Sequence, residues 1–271
     1  MSRFQVKKVA VLGAGVMGAQ IAAHLVNVRV PVILFDLPAK EGPKNGIVTK
    51  AIDGLKKLKP APLGVNEDAG LITQANYEEH MDLLKGCDLV IEAIAERMDW
   101  KLDLYTKIAP FIAPHAIVAS NTSGLSITQL GAALPAEIQP RFCGIHFFNP
   151  PRYMALVELI PTPSTRADIL DPLEAFVTTA LGKCVVRAKD TPNFIANRVG
   201  VAGMLAVMKQ AEHWGRFSTP TLNHTGELKA ASWLTRMLFS SSRKISASRA
   251  VEKYSSLMPQ SAMVLATRSI S

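Results

Sequence analysis

KVAVLGAGVMGAQIAAHLVNVRVPVILFD, residues 8–36, carries three signals in order. An apolar run, Val9–Leu12, stops at Gly13; glycines recur at Gly15 and Gly18 as G-x-G-x-x-G; an alanine-rich pattern with helical spacing follows. A second β-branched run over residues 30–35 ends in a carboxylate, Asp36. The order predicts strand, tight turn, helix and strand. Gly13 permits the sharp turn, Gly15 lets the backbone approach a pyrophosphate with no Cβ in the way, and Gly18 lets the helix lie close to the strand. The pyrophosphate then rests on free N–H groups at the positive end of the helix, where Val16 and Met17 lie. Asp36 is placed to accept hydrogen bonds from the adenosine ribose and would repel a 2′-phosphate, so NAD is expected rather than NADP. A glycine turn of this kind also occurs in other α/β folds. The strand, helix, second strand and acid in sequence are the context a dinucleotide site requires.

Working outward, residues 40–59 read as a helix bearing Lys50, Lys56, Lys57 and Lys59, either a solvated face or a basic patch for a phosphorylated ligand. CDLVIEA, residues 87–93, is the near-continuous apolar run of a buried parallel strand. Residues 96–113 have helical spacing at Trp100, Leu104, Ile108 and Phe111, and Pro114 ends them. A strand at 116–119 leads into the small polar loop SNTSG, residues 120–124. Strands at 141–148 and 156–160, a helix at 167–181 and a last strand at 184–188 complete about eight strands with helices between many of them. The economical architecture is α/β: a doubly wound, mostly parallel, Rossmann-like sheet over residues 1–190, with ligands at the carboxyl ends of its strands. In DTPNFIAN, residues 190–197, Thr191 suits an N-cap and Pro192 a first turn, so a helix over 194–211 is expected to begin a second, helical domain at 191–215.

Composition narrows the function. The 271 residues, 48% hydrophobic, suffice for one large or two modest domains. Of the net charge of +8, residues 1–215 contribute 22 basic against 20 acidic side chains, and residues 216–271 contribute 8 against 2. The basicity thus belongs to the tail and does not mark the folded part as a nucleic-acid binder. No apolar run approaches a membrane span. Cys87, Cys143 and Cys184 are scattered and without ligand spacing, so no disulfide framework and no metal site is expected, and a reducing, cytoplasmic setting is the default. Residues 216–271 hold 12 serines against 5 in the rest of the chain. They read as an atypical, poorly ordered, basic tail, a divergent or out-of-frame replacement.

Four residues could carry chemistry at strand ends or at the opening of the second domain: Ser123, His146, Glu158 and Asn197. A histidine at a strand end is commonly structural. Beside a nicotinamide, however, a neutral imidazole is a natural acceptor for the proton of a hydroxyl whose carbon gives up hydride, and such a base contributes about 10² to 10⁴ in rate. Glu158, set among Leu156, Val157, Leu159 and Ile160, needs a partner and could fix the imidazole's tautomer. Ser123 and Asn197 offer neutral donors to a substrate oxygen; loop capping is the plainer use of both.

GAGVMG, IEAIAE, SNTSG, HFFNPP and DTPNFIANR, in this order and at these separations, closely resemble the 3-hydroxyacyl-CoA dehydrogenase family, particularly the bacterial long-form enzymes of fatty-acid β-oxidation. The resemblance runs from about residue 7 to 212. It implies NAD-dependent oxidation of (S)-3-hydroxyacyl-CoA to 3-oxoacyl-CoA, with His146 as base, Glu158 as its partner, Ser123 touching substrate and cofactor, and Asn197 orienting the acyl group. It further implies NAD contacts at Glu96, Lys101 and Asn149, Asp36 on the adenine ribose, and Lys57 near coenzyme A. Residues 216–271 do not match the family's helical second domain. A homodimer is therefore doubtful, and the alternative is a catalytically weak NAD-binding remnant.

Overall fold

The computed structural model describes residues 5–213; the expectations for residues 216–271 lie outside them. The first unit is strand β1 (Val9–Leu12), helix α1 (Val16–Asn27) and strand β2 (Val32–Asp36). Helix α2 (Gly46–Leu55), strand β3 (Ile72–Asn76), strand β4 (Leu89–Glu92), helix α3 (Met98–Ile108) and strand β5 (Ile117–Ser120) follow. Then come helix α4 (Ile127–Ala132), strand β6 (Phe142–Phe147), strand β7 (Leu156–Pro161), helix α5 (Ala167–Thr179), strand β8 (Cys184–Arg187) and helix α6 (Ala196–His213). Among the described residues eight strands form one sheet in the order β3-β2-β1-β4-β5-β6-β7-β8. Every neighbouring pair is parallel except β6 and β7. This is the doubly wound arrangement, and its order reverses between β1 and β4, the point at which sheets of this kind take ligands at their carboxyl edge.

The central strands are apolar on both faces because helices cover both. Val9, Val11, Leu34 and Ile91 join one buried cluster with Ile21 and Leu25 of α1 and with Leu173 and Val177 of α5. Ala10, Leu12, Ile33 and Val90 join the opposite cluster with Leu104, Tyr105 and Ile108 of α3 and Leu130 of α4. Each fully buried Val, Leu or Ile contributes roughly 1.5–3 kcal/mol, so these two clusters hold the layers together. The compact unit containing the sheet ends at Arg198, and the remainder of α6 belongs to a second unit.

One strand goes unannounced by the sequence, and three expectations are corrected. Strand β3, ITQAN, has no apolar run to announce it: it lies at the sheet edge, where Thr73 can face solvent while Ile72 and Ala75 are buried. The basic helix is shorter than 40–59, so Lys56, Lys57 and Lys59 lie beyond its last turn. The helix expected over 96–113 begins after Glu96 and buries Lys101, Leu104, Tyr105 and Ile108. Trp100 is 52% exposed, with the Arg97 guanidinium 4.4 Å over its ring, so cation–π contact rather than core burial accounts for it. Thr191 and Pro192 do not start the last helix. Asn193 and Phe194 have φ of 62° and 49°, a left-handed step that costs roughly 1–3 kcal/mol per residue and delays the helix to Ala196.

Candidate active site

The glycine turn behaves as three different constraints. Gly13 has φ of 104°, and a Cβ there would lie 2.8 Å from the Ala93 carbonyl oxygen at the end of β4. A Cβ on Gly18 would meet the Gly13 carbonyl oxygen, so α1 could not lie against the turn. At Gly15 a Cβ would meet nothing within 4 Å. That glycine is therefore not required by the packing of the chain; it leaves room in front of the N-terminus of α1, where unpaired N–H groups favour an anion. Asp36 accepts a hydrogen bond from Ala14 N at 2.6 Å and from Leu37 N at 2.7 Å, which fixes its carboxylate beside the turn. Room for a phosphate, backbone donors and a pinned acid together fit a dinucleotide.

Beyond the switch point, Glu92 at the end of β4 is a fully buried carboxylate with a complete set of partners. Lys101 Nζ at 2.5 Å, Ile94 N at 2.8 Å, Ser120 Oγ at 2.6 Å and Tyr105 OH at 3.0 Å all donate to it. Lys101, read as a cofactor contact, is thus 0% exposed and committed to Glu92, and acts from beneath the loops. Glu96 holds the SNTSG loop from one oxygen, accepting from Ser123 N at 2.9 Å, Gly124 N at 2.8 Å and the Thr122 hydroxyl. Burial pushes the Glu96 carboxyl up, but the Lys101 charge and these donors outweigh it and hold it below its ordinary range. Ser123 itself is exposed at the tip of that loop.

His146 lies near the end of β6. Leu12, Glu92, Ser120 and Gly144 pair in register across β1, β4, β5 and β6, so His146, two residues beyond Gly144, reaches the same carboxyl edge as the glycine turn. A second link is direct: Gln20 of α1 donates to Asn149 Oδ1 at 3.2 Å, three residues after His146. The imidazole is 3% exposed, and its Nδ1 lies 2.9 Å from Glu158 Oε2 on the antiparallel neighbour β7. Its ring packs against Phe148, centroids 4.4 Å apart, and edge-on against Phe194 at 5.6 Å. No hydrogen bond holds Nε2 among the described residues.

The other oxygen of Glu158 accepts from Ile195 N at 3.0 Å and Ala196 N at 2.8 Å. The N-terminal donors of α6 are therefore capped by a residue 38 positions earlier in the chain rather than by the local Thr191. Burial raises the Glu158 carboxyl, while the His146 hydrogen bond and the two amides more than offset it, leaving the group below its ordinary range and ionised. Asn197, half-buried, follows immediately in the first turn of α6. The SNTSG loop approaches the same segment, since a Cβ on Gly124 would lie 3.6 Å from Asn193 Oδ1. Asp190 binds the start of α4 through Ser126 Oγ, Ile127 N and Thr128 N at 2.8–3.0 Å. Glu158 thus joins the imidazole to the segment that carries Asn197, and the Gly124–Asn193 approach sets the Ser123 loop beside it.

Lys57 is apart from this group. It is exposed beyond α2, on an open depression of about 510 Å³ shared with Thr49, Lys50 and Asp53. An adjoining groove of about 240 Å³, which shares Lys50 with it, runs from Gly15 and Val16 to Leu58. Residues not singled out from the sequence include Glu92, Asn121, whose Oδ1 accepts from Phe147 N at 2.8 Å, and Gln20. A carboxylate ending an apolar strand, as in VIE, was the signal available for Glu92. Among the described residues no helix is long and apolar enough to cross a membrane.

Residues 8–191 match the family model described as 3-hydroxyacyl-CoA dehydrogenase, NAD binding domain. A probable 3-hydroxyacyl-CoA dehydrogenase of Deinococcus radiodurans is 42% identical over 212 residues, covering 78% of this chain and 61% of that protein. A putative fatty acid oxidation complex trifunctional enzyme of Rickettsia felis is 44% identical over 208 residues, 76% of this chain but 29% of its own length. The crystal structure of (S)-3-hydroxybutyryl-CoA dehydrogenase from Ralstonia eutropha superposes with a TM-score of 0.66 at 29% identity, covering 86% of this chain and 83% of that one. The chain therefore spans less than two thirds of these curated relatives' length. The glycine turn, the acid at the end of β2 and the extent of the family match lead to one conclusion: the chain belongs to the 3-hydroxyacyl-CoA dehydrogenase family.

Proposed function

We propose that the protein interconverts an (S)-3-hydroxyacyl-CoA and the corresponding 3-oxoacyl-CoA with NAD, in the oxidation of fatty acids. The observation that carries this reading is the His146–Glu158 pair, 2.9 Å apart and buried, on the sheet edge that also bears the glycine turn. Gly13, Gly15, Val16, Met17 and Gly18 would hold the pyrophosphate and Asp36 the adenosine ribose, with Ser123 and Asn149 toward the nicotinamide. NAD, when bound, supplies the hydride acceptor. Glu158 accepts a hydrogen bond from His146 Nδ1–H and so selects the tautomer whose Nε2 is bare. Nε2 then takes the proton of the substrate 3-hydroxyl as that oxygen becomes a carbonyl, and ionised Glu158 stabilises the imidazolium.

Ser123 and Asn197 hold the substrate oxygen, each with a neutral donor. Glu96 and Lys101 keep the Ser123 loop and the end of β4 in place from behind. Lys57 and Lys50 suit the phosphates of a coenzyme A at the outer end of the grooves on α2.

The test follows NADH absorbance with acetoacetyl-CoA for the protein and for His146→Gln. Turnover that falls at least 100-fold in the variant supports the assignment. Equal rates would remove His146 from the chemistry, and no turnover in either would favour the remnant reading.

A further inference from the structure

Among the described residues two buried side-chain atoms lack a hydrogen-bond partner, and one of them is the hydroxyl of Tyr77. Tyr77 follows β3, and its backbone N–H donates to the Asp36 carbonyl at 3.2 Å, which seats it beside the end of β2. Its ring stacks on Phe35, centroids 5.9 Å apart and planes 15° from parallel, so the side chain lies along the floor of the sheet's carboxyl edge. The surroundings of the oxygen are those of the dinucleotide crevice. The Asp36 and Glu92 carboxylates bear on it electrostatically, and the backbone N–H of Gly13 lies near enough for a weak hydrogen-bonding contact short of full geometry. That N–H is already spent on the Phe35 carbonyl at 2.8 Å. Burial, then the charges of Asp36 and Glu92, holds the phenol protonated.

Packing does not account for the oxygen. Phenylalanine would offer the same ring to Phe35 without leaving a buried polar atom unpaired, so stability alone favours its loss. A group kept unsatisfied in the fold and aimed under the turn that receives a ligand has its use in the bound state. We propose that Tyr77 is a cofactor-positioning residue, whose hydroxyl gains its hydrogen-bond partner when the adenosine half of NAD is bound over the first glycine and Asp36. The inference rests on the NAD-dependent reading above and extends it to a residue outside the glycine motif. Tyr77 takes no part in proton transfer, which belongs to His146.

The experiment compares the full chain with Tyr77→Phe. NADH affinity is measured by fluorescence titration, AMP and nicotinamide mononucleotide by competition, and melting temperature and steady-state constants alongside. Tyr77→Phe is expected to fold with an unchanged or higher melting temperature and to bind NADH and AMP roughly 3- to 10-fold more weakly, as the loss of one hydrogen bond implies. Nicotinamide mononucleotide binding, kcat at saturating NADH and KM for acetoacetyl-CoA stay unchanged. Equal NADH and AMP affinity in the two proteins would overturn the inference, as would a fall in kcat at unchanged affinity. Failure of the unaltered protein to bind NADH at all would instead sink the cofactor reading itself. A lower melting temperature with unaltered affinity would reduce Tyr77 to a core residue.

Discussion

His24 offers a sharp test of the buried electrostatics. It lies in the last turns of α1, 7% exposed, with Nε2 donating to the Leu181 carbonyl at 3.0 Å. That bond selects the tautomer with a bare Nδ1, and Nδ1 is buried without a partner. A second proton would have no acceptor and would sit near the cationic Lys183 and Arg152. Burial, then Lys183, lowers the imidazole from its ordinary 6.5 to about 4. The sign follows from proton binding: below 6.5 the unfolded chain takes up a proton that the fold refuses, so stability falls as the pH drops from there toward 4. At about 1.4 kcal/mol per pH unit, the site withdraws about 2 kcal/mol between pH 7 and pH 5 and about 3 kcal/mol by pH 4. Urea unfolding of the protein and of His24→Gln at pH 7 and pH 5 isolates this contribution. The unaltered protein should lose about 2 kcal/mol more than the variant over that interval. Parallel losses would show that His24 is not held neutral by the fold.

The two glycines should separate folding from ligand binding. Gly15→Ala, with open space at its Cβ, is expected to keep its melting temperature within a degree or two and to weaken NADH at least 10-fold, by titration, because the methyl fills the phosphate's room. Gly18→Ala, which would set its Cβ on the Gly13 carbonyl, should lose both fold stability and NADH binding, and equal behaviour of the two would contradict their assigned roles. Glu158→Gln puts an amide N–H or a neutral acceptor opposite His146 Nδ1; kcat should fall roughly 10²- to 10⁴-fold with NADH affinity retained. A kcat within a factor of three of the unaltered protein would mean that Glu158 serves only as the cap of α6.

How far the site was legible depends on how far apart its partners lie in the chain. His146 and Glu158, twelve residues apart on adjoining antiparallel strands, are brought face to face by register alone, and HFFNPP already singled out the first. The resemblance implies a cofactor contact for Glu96, and the fold adds bonds from it to a loop 26 to 29 residues later, which no local spacing announces. The resemblance implies a cofactor contact for Lys101, and its ammonium is bonded to Glu92 in the core. A buried charge is tolerable only with its partner in place, and nothing in the local spacing announces that partner.

From the amino-acid order alone came the strand, turn and helix of residues 8–36, the acid that closes them, and the repetition of apolar run and helix that makes a doubly wound sheet. These are properties of neighbouring residues: periodicity, Cβ sterics and capping act within a few positions. Tertiary structure alone decided that ITQAN forms the edge strand, that Glu158 supplies the cap of α6 in place of Thr191, and that Tyr77 leaves an unpaired hydroxyl below the glycine turn. The reason is physical: a buried carboxylate, amide or phenol is satisfied, or left unsatisfied, by groups that become neighbours only once the strands have taken their order.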